Sequence, residues 1–243
     1  MTGFVIKTTG PDYTVRSTEG DFVCKIKGNF RIKGIKSTNP ITVGDVVDFD
    51  PSQGYITALH DRRNYIVRKP TNLSKQLHII AANVDLCLLV VTIKNPETAT
   101  TFIDRFLATS EAYHVPTTIV FNKTDLLTED ELEYLEALEY LYRNIGYNTI
   151  RTSALSGDGI EEIKQLLPGK FTLLSGNSGV GKSTILNKII PAANARTASI
   201  SESHHKGMHT TTFSEMYEID RDSYLIDTPG IKGFGTFDME PEE

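Results

Sequence analysis

Residues 176–183 read Gly176-Asn177-Ser178-Gly179-Val180-Gly181-Lys182-Ser183. They fit the phosphate-loop pattern G-x-x-x-x-G-K-S at every position. The glycines let the backbone curl so that its N–H groups point at phosphate oxygens. The N-terminus of a following helix adds partial positive charge at the same place. Lys182 then reaches β- and γ-phosphates as a point charge, and the Ser183 hydroxyl is placed to hold Mg2+. Thr184, next in the helix, completes the phosphate-side candidates. Such a loop needs a buried strand before it and a helix after it. Phe171–Leu174 and Ser183–Ile190 supply both.

Upstream the chain alternates in the same rhythm. Val84–Ile93 is a continuous apolar run, as in a strand buried on both faces. Residues 98–113 place Phe102, Ile103, Phe106 and Leu107 at helical spacing. Thr117–Phe121 is a second buried strand. Thr128 and Glu131 form a capping box that opens the next helix, which carries Leu132, Leu135 and Leu138 and stops near Gly146. Thr149–Ser153 is a third strand, Ile160–Leu167 a third helix, and Tyr224–Ile226 a last strand. Strands alternating with helices imply right-handed βαβ units around a parallel sheet.

The strand ends carry the remaining polar motifs. Asn122-Lys123-Thr124-Asp125 follows the strand at Thr117. A carboxylate there can accept both hydrogen bonds offered by the N1–H and N2–H₂ edge of guanine. Adenine lacks that donor pair, so Asp125 would be left unpaired by it. Asn122 can bond the base and neighbouring loops, and Lys123 can lay its stem along the ring. Ser153-Ala154 offers a backbone contact to the guanine carbonyl. Asp227-Thr228-Pro229-Gly230 fits an Asp that contacts Mg2+ and a Gly230 N–H near the γ-phosphate. A threonine of Thr210-Thr211-Thr212 could close over Mg2+, or the three could form a β-prone run entering the next strand.

Together these are the five sequence elements of a Ras-like GTPase, in an unusual order. Asn122–Asp125 and Ser153–Ala154 come first; the phosphate loop, the threonines and Asp227–Gly230 follow. That order is a circular permutation.

Residues 1–69 read as all-β. Glycines at 10, 20, 28, 34, 44 and 54 separate β-prone runs at Tyr13–Val15, Phe22–Ile26, Val46–Phe49 and Tyr55–Thr57. This spacing suggests a small barrel. From the pattern alone an SH3-like barrel fits as well as an OB-fold. Residues 70–83, opened by Pro70 and Asn72, read as a linker to the permuted domain at 84–243.

Composition bounds the partners. The 243 residues carry a formal charge of −6, but residues 1–69 hold 11 Lys/Arg against 7 Asp/Glu, a balance of +4. The remainder holds 14 against 24, a balance of −10. Such a split suits two domains with different partners, the basic one facing phosphate. Two cysteines, Cys24 and Cys87, exclude a disulfide framework and indicate a reducing compartment. No apolar run approaches membrane length, and no signal-peptide core opens the chain.

A permuted GTPase domain behind a small basic barrel resembles the ribosome small-subunit-dependent GTPase A family. Lys206-Gly207-Met208-His209-Thr210-Thr211-Thr212 resembles its switch I signature, and Gly233-Phe234-Gly235 its segment after Asp-Thr-Pro-Gly. The resemblance implies an α/β P-loop GTPase domain, circularly permuted, with a mostly parallel sheet and preceded by an all-β OB-fold barrel. It further implies GTP and GDP as ligands, Mg2+ held by Ser183, Thr211 and Asp227, and rRNA contact by the barrel. The role implied is late maturation of the small ribosomal subunit in the cytoplasm, with hydrolysis stimulated by that subunit. A monomer and no membrane partner are expected. Family members usually carry a C-terminal zinc domain, expected to be absent from this chain. His204, His205 and His209 do not replace it, having no cysteine beside them. Met208 stands where members often have Arg.

Ile231 occupies the position of the water-orienting glutamine of Ras-like proteins, so slow intrinsic turnover is expected. Lys182, His209 and Thr211 are the catalytic candidates, with His209 equally readable as a solvent-facing loop residue. A GTP-gated binding module with negligible catalysis is the alternative; an ATPase or kinase is disfavoured by Asp125.

Overall fold

The computed structural model describes residues 1–26, 40–68, 78–193 and 214–227. Five strands open the chain: β1 (Thr2–Thr9), β2 (Asp12–Ser17), β3 (Gly20–Ile26), β4 (Val46–Asp50) and β5 (Tyr55–Leu59). They run in the order β1-β2-β3-β5-β4, and β4 closes back on β1 through Thr2–Phe4. β3 and β5 are parallel and the other pairs antiparallel. This five-stranded closed arrangement is the OB-like barrel, and it decides between the two barrels that the pattern left open. Alternation fills it: Val5, Tyr13, Val15, Cys24, Val47, Phe49 and Ile56 point inward, joined by Ile41.

Next come β6 (Tyr65–Arg68) and β7 (His78–Ala82), an antiparallel pair outside the barrel. The segment expected as a linker over 70–83 is therefore a strand in its described part, from His78 onward. Ile79, Ile80, Ala81 and Ala82 are buried, which an irregular connector would not sustain.

The second unit comprises β8 (Leu86–Val91), α1 (Thr100–Ala112), β9 (Thr117–Phe121), α2 (Glu129–Asn144), β10 (Asn148–Arg151), α3 (Ile160–Leu166), β11 (Phe171–Ser175), α4 (Lys182–Ile189), β12 (Glu215–Asp220) and β13 (Ser223–Asp227). Strands β10-β9-β8-β11-β13 are parallel neighbours in that order, with β12 antiparallel on β13. Chain order runs outward from β8 to β10, then returns across β8 to β11. The helices consequently cover both faces. Cys87, Leu89, Val91, Ile119 and Phe121 pack toward α1 and α2 (Phe106, Leu107, Leu135, Leu138). Their alternates Leu88, Val90, Val120 and Leu174 pack toward α3 and α4 (Ile160, Ile163, Ile185, Leu186).

β1 also pairs with β12 at Lys7↔Glu215, so the barrel and the sheet of the second unit form one hydrogen-bonded system. Lys7 Nζ lies 2.7 Å from Glu215 Oε1, and Arg16 Nη1 2.6 Å from Glu218 Oε2. Phe4 stacks against Phe171 and Tyr224. A second tie joins the barrel to the β6–β7 pair. Asp45 receives both forks of Arg62 at 2.6 Å, and Thr42 Oγ1 donates to the carbonyls of Ile79 and Ile80.

Candidate functional site

The crevice lies where strand order reverses, between β8 and β11, outside the carboxyl ends of the parallel strands. Gly176 ends β11 with φ +142°, and a Cβ there would sit 2.2 Å from the Val90 carbonyl oxygen of β8. The loop turns directly over the neighbouring strand, and only glycine fits. Gly181 has φ +103°, and a Cβ would meet Asn122 Nδ2 at 2.2 Å. Gly181 is the N-cap of α4, so Lys182, Ser183 and Thr184 form the helix's first turn.

Lys182 is buried at 8% exposure. Its ammonium donates to the carbonyls of Gly176 (2.9 Å) and Asn177 (2.8 Å). Burial pulls its pKa down to about 8, opposed by the charge of Asp227. A cation held in a dry cradle of backbone is an anion receptor, because low dielectric strengthens its attraction for phosphate. Asp227, the last residue of β13, is paired in register with Leu174 and is 3% exposed. It therefore stands beside the root of the phosphate loop. Ser183 and Asp227 offer hydroxyl and carboxylate oxygens, a hard donor set that suits Mg2+ rather than a thiophilic metal.

The second half of the site sits at the ends of β9 and β10. Asn122 is 3% exposed and ties three segments together. Its Nδ2 donates to Val180 O in the phosphate loop at 2.8 Å. Its Oδ1 accepts from Thr152 Oγ1 at 3.1 Å and from Ala154 N–H at 3.0 Å. Both carbonyl lone pairs are used and one amide hydrogen remains, so Asn122 is first a brace between loops. Lys123 takes a left-handed φ of +65°, and its ammonium donates to Asn95 O. Thr124 turns the chain by donating both N–H and hydroxyl to Thr152 O, at 3.2 and 3.1 Å. This leaves Asp125 exposed on the rim.

Ser153 and Ala154 are 1% and 3% exposed, beneath a tight loop in which Ser153 bridges Asp158. Thr152 was not among the residues expected from sequence. It is fully buried and fixes both Asn122 and Thr124. Its one signal was its place immediately before Ser153-Ala154.

The structure thus brings Asn122–Asp125, Ser153, Ala154, Gly176–Thr184 and Asp227 to one crevice. His209, Thr211 and Gly230, with Ile231, lie outside the described residues. Among the described residues, no cluster of three or more His, Cys, Asp or Glu is placed to hold a metal ion. No helix among them is long and apolar enough to cross a membrane.

Comparison with known proteins bears on the whole chain. Residues 59–237 match the RsgA GTPase family and residues 2–56 its N-terminal domain. The chain belongs to the RsgA GTPase family. It is a GTP-hydrolysing enzyme, by the family it shares. A small ribosomal subunit biogenesis GTPase RsgA 2 from Bacteroides thetaiotaomicron is 59% identical over 247 residues, spanning 100% of this chain and 80% of the relative. An RsgA from Flavobacterium psychrophilum is 54% identical over 250 residues, spanning 100% and 77%. The crystal structure of YjeQ from Thermotoga maritima aligns with a TM-score of 0.75 at 37% identity, covering 100% of this chain and 79% of that one. That of YloQ, described as a circularly permuted GTPase, aligns at 0.65 and 28% identity, covering 100% and 75%. The permuted RsgA architecture is thereby the architecture of this chain.

Proposed function

We propose that this chain binds GTP across the crevice and hydrolyses it to GDP and phosphate during maturation of the small ribosomal subunit, in the cytoplasm. The observation that carries the reading is the Asn122 brace. One buried amide joins the guanine-side loops to the phosphate-side loop, so base recognition and phosphate binding share one rigid frame.

In this reading Asp125 accepts the two donors of guanine, Lys123 covers the ring, and the Ala154 region meets the guanine carbonyl. Lys182 leaves the carbonyls of Gly176 and Asn177 for the β- and γ-phosphates, and backbone N–H groups of 177–184 surround their oxygens. Ser183, Asp227 and Thr211 would hold Mg2+, which would supply positive charge against the charge that develops on phosphate. The Gly230 N–H is the candidate donor to the γ-phosphate, and His209 is the candidate for positioning water. The basic barrel meets rRNA, and the protein acts as a monomer. Residues 1–69 and 84–243 are the two functional domains.

Two measurements test this. GTP and ATP are competed against a fluorescent guanine nucleotide; GTP should win by roughly 10³-fold or more, and Asp125→Asn should shift preference toward a xanthine nucleotide. Turnover is then measured with and without small subunits. Strong stimulation supports the reading, and none sinks the ribosomal role while leaving GTP binding intact. His209→Ala with undiminished stimulated turnover removes His209 from the mechanism.

A further inference from the structure

We infer that the outer groove between α1 and α2 is a docking site for a cationic amphipathic helix of a partner protein. The inference uses only these two helices and stands apart from the nucleotide-site reading. α2 buries one seam, Leu135, Leu138 and Tyr142, against the core. Beside it runs a second apolar seam that none of the described residues covers: Tyr134, Ala137, Leu141 and Ile145, at steps of three, four and four residues. Tyr134 is 50% exposed, Leu141 51% and Ile145 61%. Scattered apolar residues on a surface are ordinary, but four on one helical stripe make a continuous strip.

The second wall is α1. Tyr142 Oη donates to Asp104 Oδ1 at 2.9 Å, and Tyr147 Oη to Glu111 Oε1 at 3.0 Å, which sets α1 alongside and places two carboxylates along its near edge. Exposed Ala108 lies one turn from each of them, leaving a shallow floor. Asp130 heads the stripe one turn before Tyr134, Glu133 borders it on the side away from Leu135, and among the described residues neither has an ion-pair partner. The two helices carry eight acidic against two basic side chains; Glu131, Glu136 and Glu139 are ion-paired with Lys94, Arg143 or Arg151, and Asp104, Glu111, Asp130 and Glu133 are the carboxylates along the strip.

This charge selects the occupant. A nucleic-acid backbone would be repelled from this face. A second copy would oppose like charges across the groove. An amphipathic helix with apolar residues at i, i+3, i+4 and i+7 and Lys or Arg along both margins satisfies the strip and the carboxylates together.

The probe is a synthetic Leu/Lys amphipathic peptide of about five turns, fluorescently labelled. A scrambled peptide of the same composition and a Leu/Glu peptide are the controls, and binding to the whole protein is followed by anisotropy. The Leu/Lys peptide should bind and the controls should bind at least about tenfold more weakly. Leu141→Ser with Ile145→Ser should weaken it roughly tenfold, and Glu133→Lys should weaken it separately. Both variants change exposed side chains and should keep nucleotide affinity and the thermal midpoint. Equal binding of the scrambled peptide, or no loss in Leu141→Ser/Ile145→Ser, overturns the proposal. So does dimerisation of the unaltered protein that this double variant abolishes, or binding of small-subunit RNA that it weakens.

Discussion

At the scale of the residue, Asn122 decides most. Replacing it with alanine strands three groups in a dry site: Val180 O, the Thr152 hydroxyl and the Ala154 N–H. Each buried unsatisfied group costs about 1–3 kcal/mol. Asn122→Ala should therefore lower both thermal stability and nucleotide affinity, by calorimetry and fluorescent-GDP titration. Thr152→Val removes one donor at nearly constant volume and should cost about 1 kcal/mol, with a correspondingly smaller loss of affinity. If Thr152→Val were as damaging as Asn122→Ala, the brace would run through Thr152 alone. Gly181→Ala meets Asn122 Nδ2 at 2.2 Å with a backbone at φ +103°. It should weaken GTP binding at least roughly tenfold in the same titration. Asn122, Gly181 and Asp125 were legible in the sequence because their motifs are contiguous. The bond from Asn122 to Val180 was not, since it joins positions 58 residues apart whose proximity only the sheet order creates.

At the scale of the element, the helices announced themselves. α2 begins where the Thr128–Glu131 box predicts, with Thr128 N–H donating to Glu131 Oε2 at 2.8 Å. Thr128→Ala should cost about 1 kcal/mol, read as a lowered thermal midpoint with unchanged GTP affinity. Four strands match no run named from the sequence: β1 and β6, inside the stretch read as all-β, and β7 and β12. β12, Glu215–Asp220, buries Met216 alone between half-buried Glu215 and Tyr217 and lacks the apolar run of a central strand. β7 hid behind Pro70 and Asn72, turn residues that made the whole of 70–83 read as connector. The end of the second helix was legible at Gly146, but its outward seam was not. Exposure of Tyr134, Leu141 and Ile145 depends on where α1 and the sheet lie.

At the scale of the molecule, the permutation was readable because motif order is a property of the sequence. The docking of barrel on GTPase domain was not, for it rests on partners such as Lys7 and Glu215, 208 residues apart. The tie at Asp45 and Arg62, which holds the barrel to the β6–β7 pair, offers a stability test. Asp45 is fully buried, and the Arg62 side chain is 4% exposed. Burial pushes the Asp45 carboxyl above its usual range while Arg62 and the Thr42 N–H pull it back. Arg62→Met leaves that charge uncompensated and should cost about 3–5 kcal/mol in thermal or denaturant unfolding. Adding Asp45→Asn should recover part of the loss; no recovery would mean that packing, not charge, is what Arg62 contributes.

The β1–β12 pairing has a consequence for how the chain is made. β1 leaves the ribosome well before β12 and forks, giving Thr2–Phe4 to β4 and Lys7 to Glu215. β12 follows 208 residues later at Glu215, and without β1 beside it that end of the sheet would be an open edge, a template for wrong pairing with other chains. The barrel strand that meets it is made well before it. The barrel thus acts as a resident guard at the start of that edge.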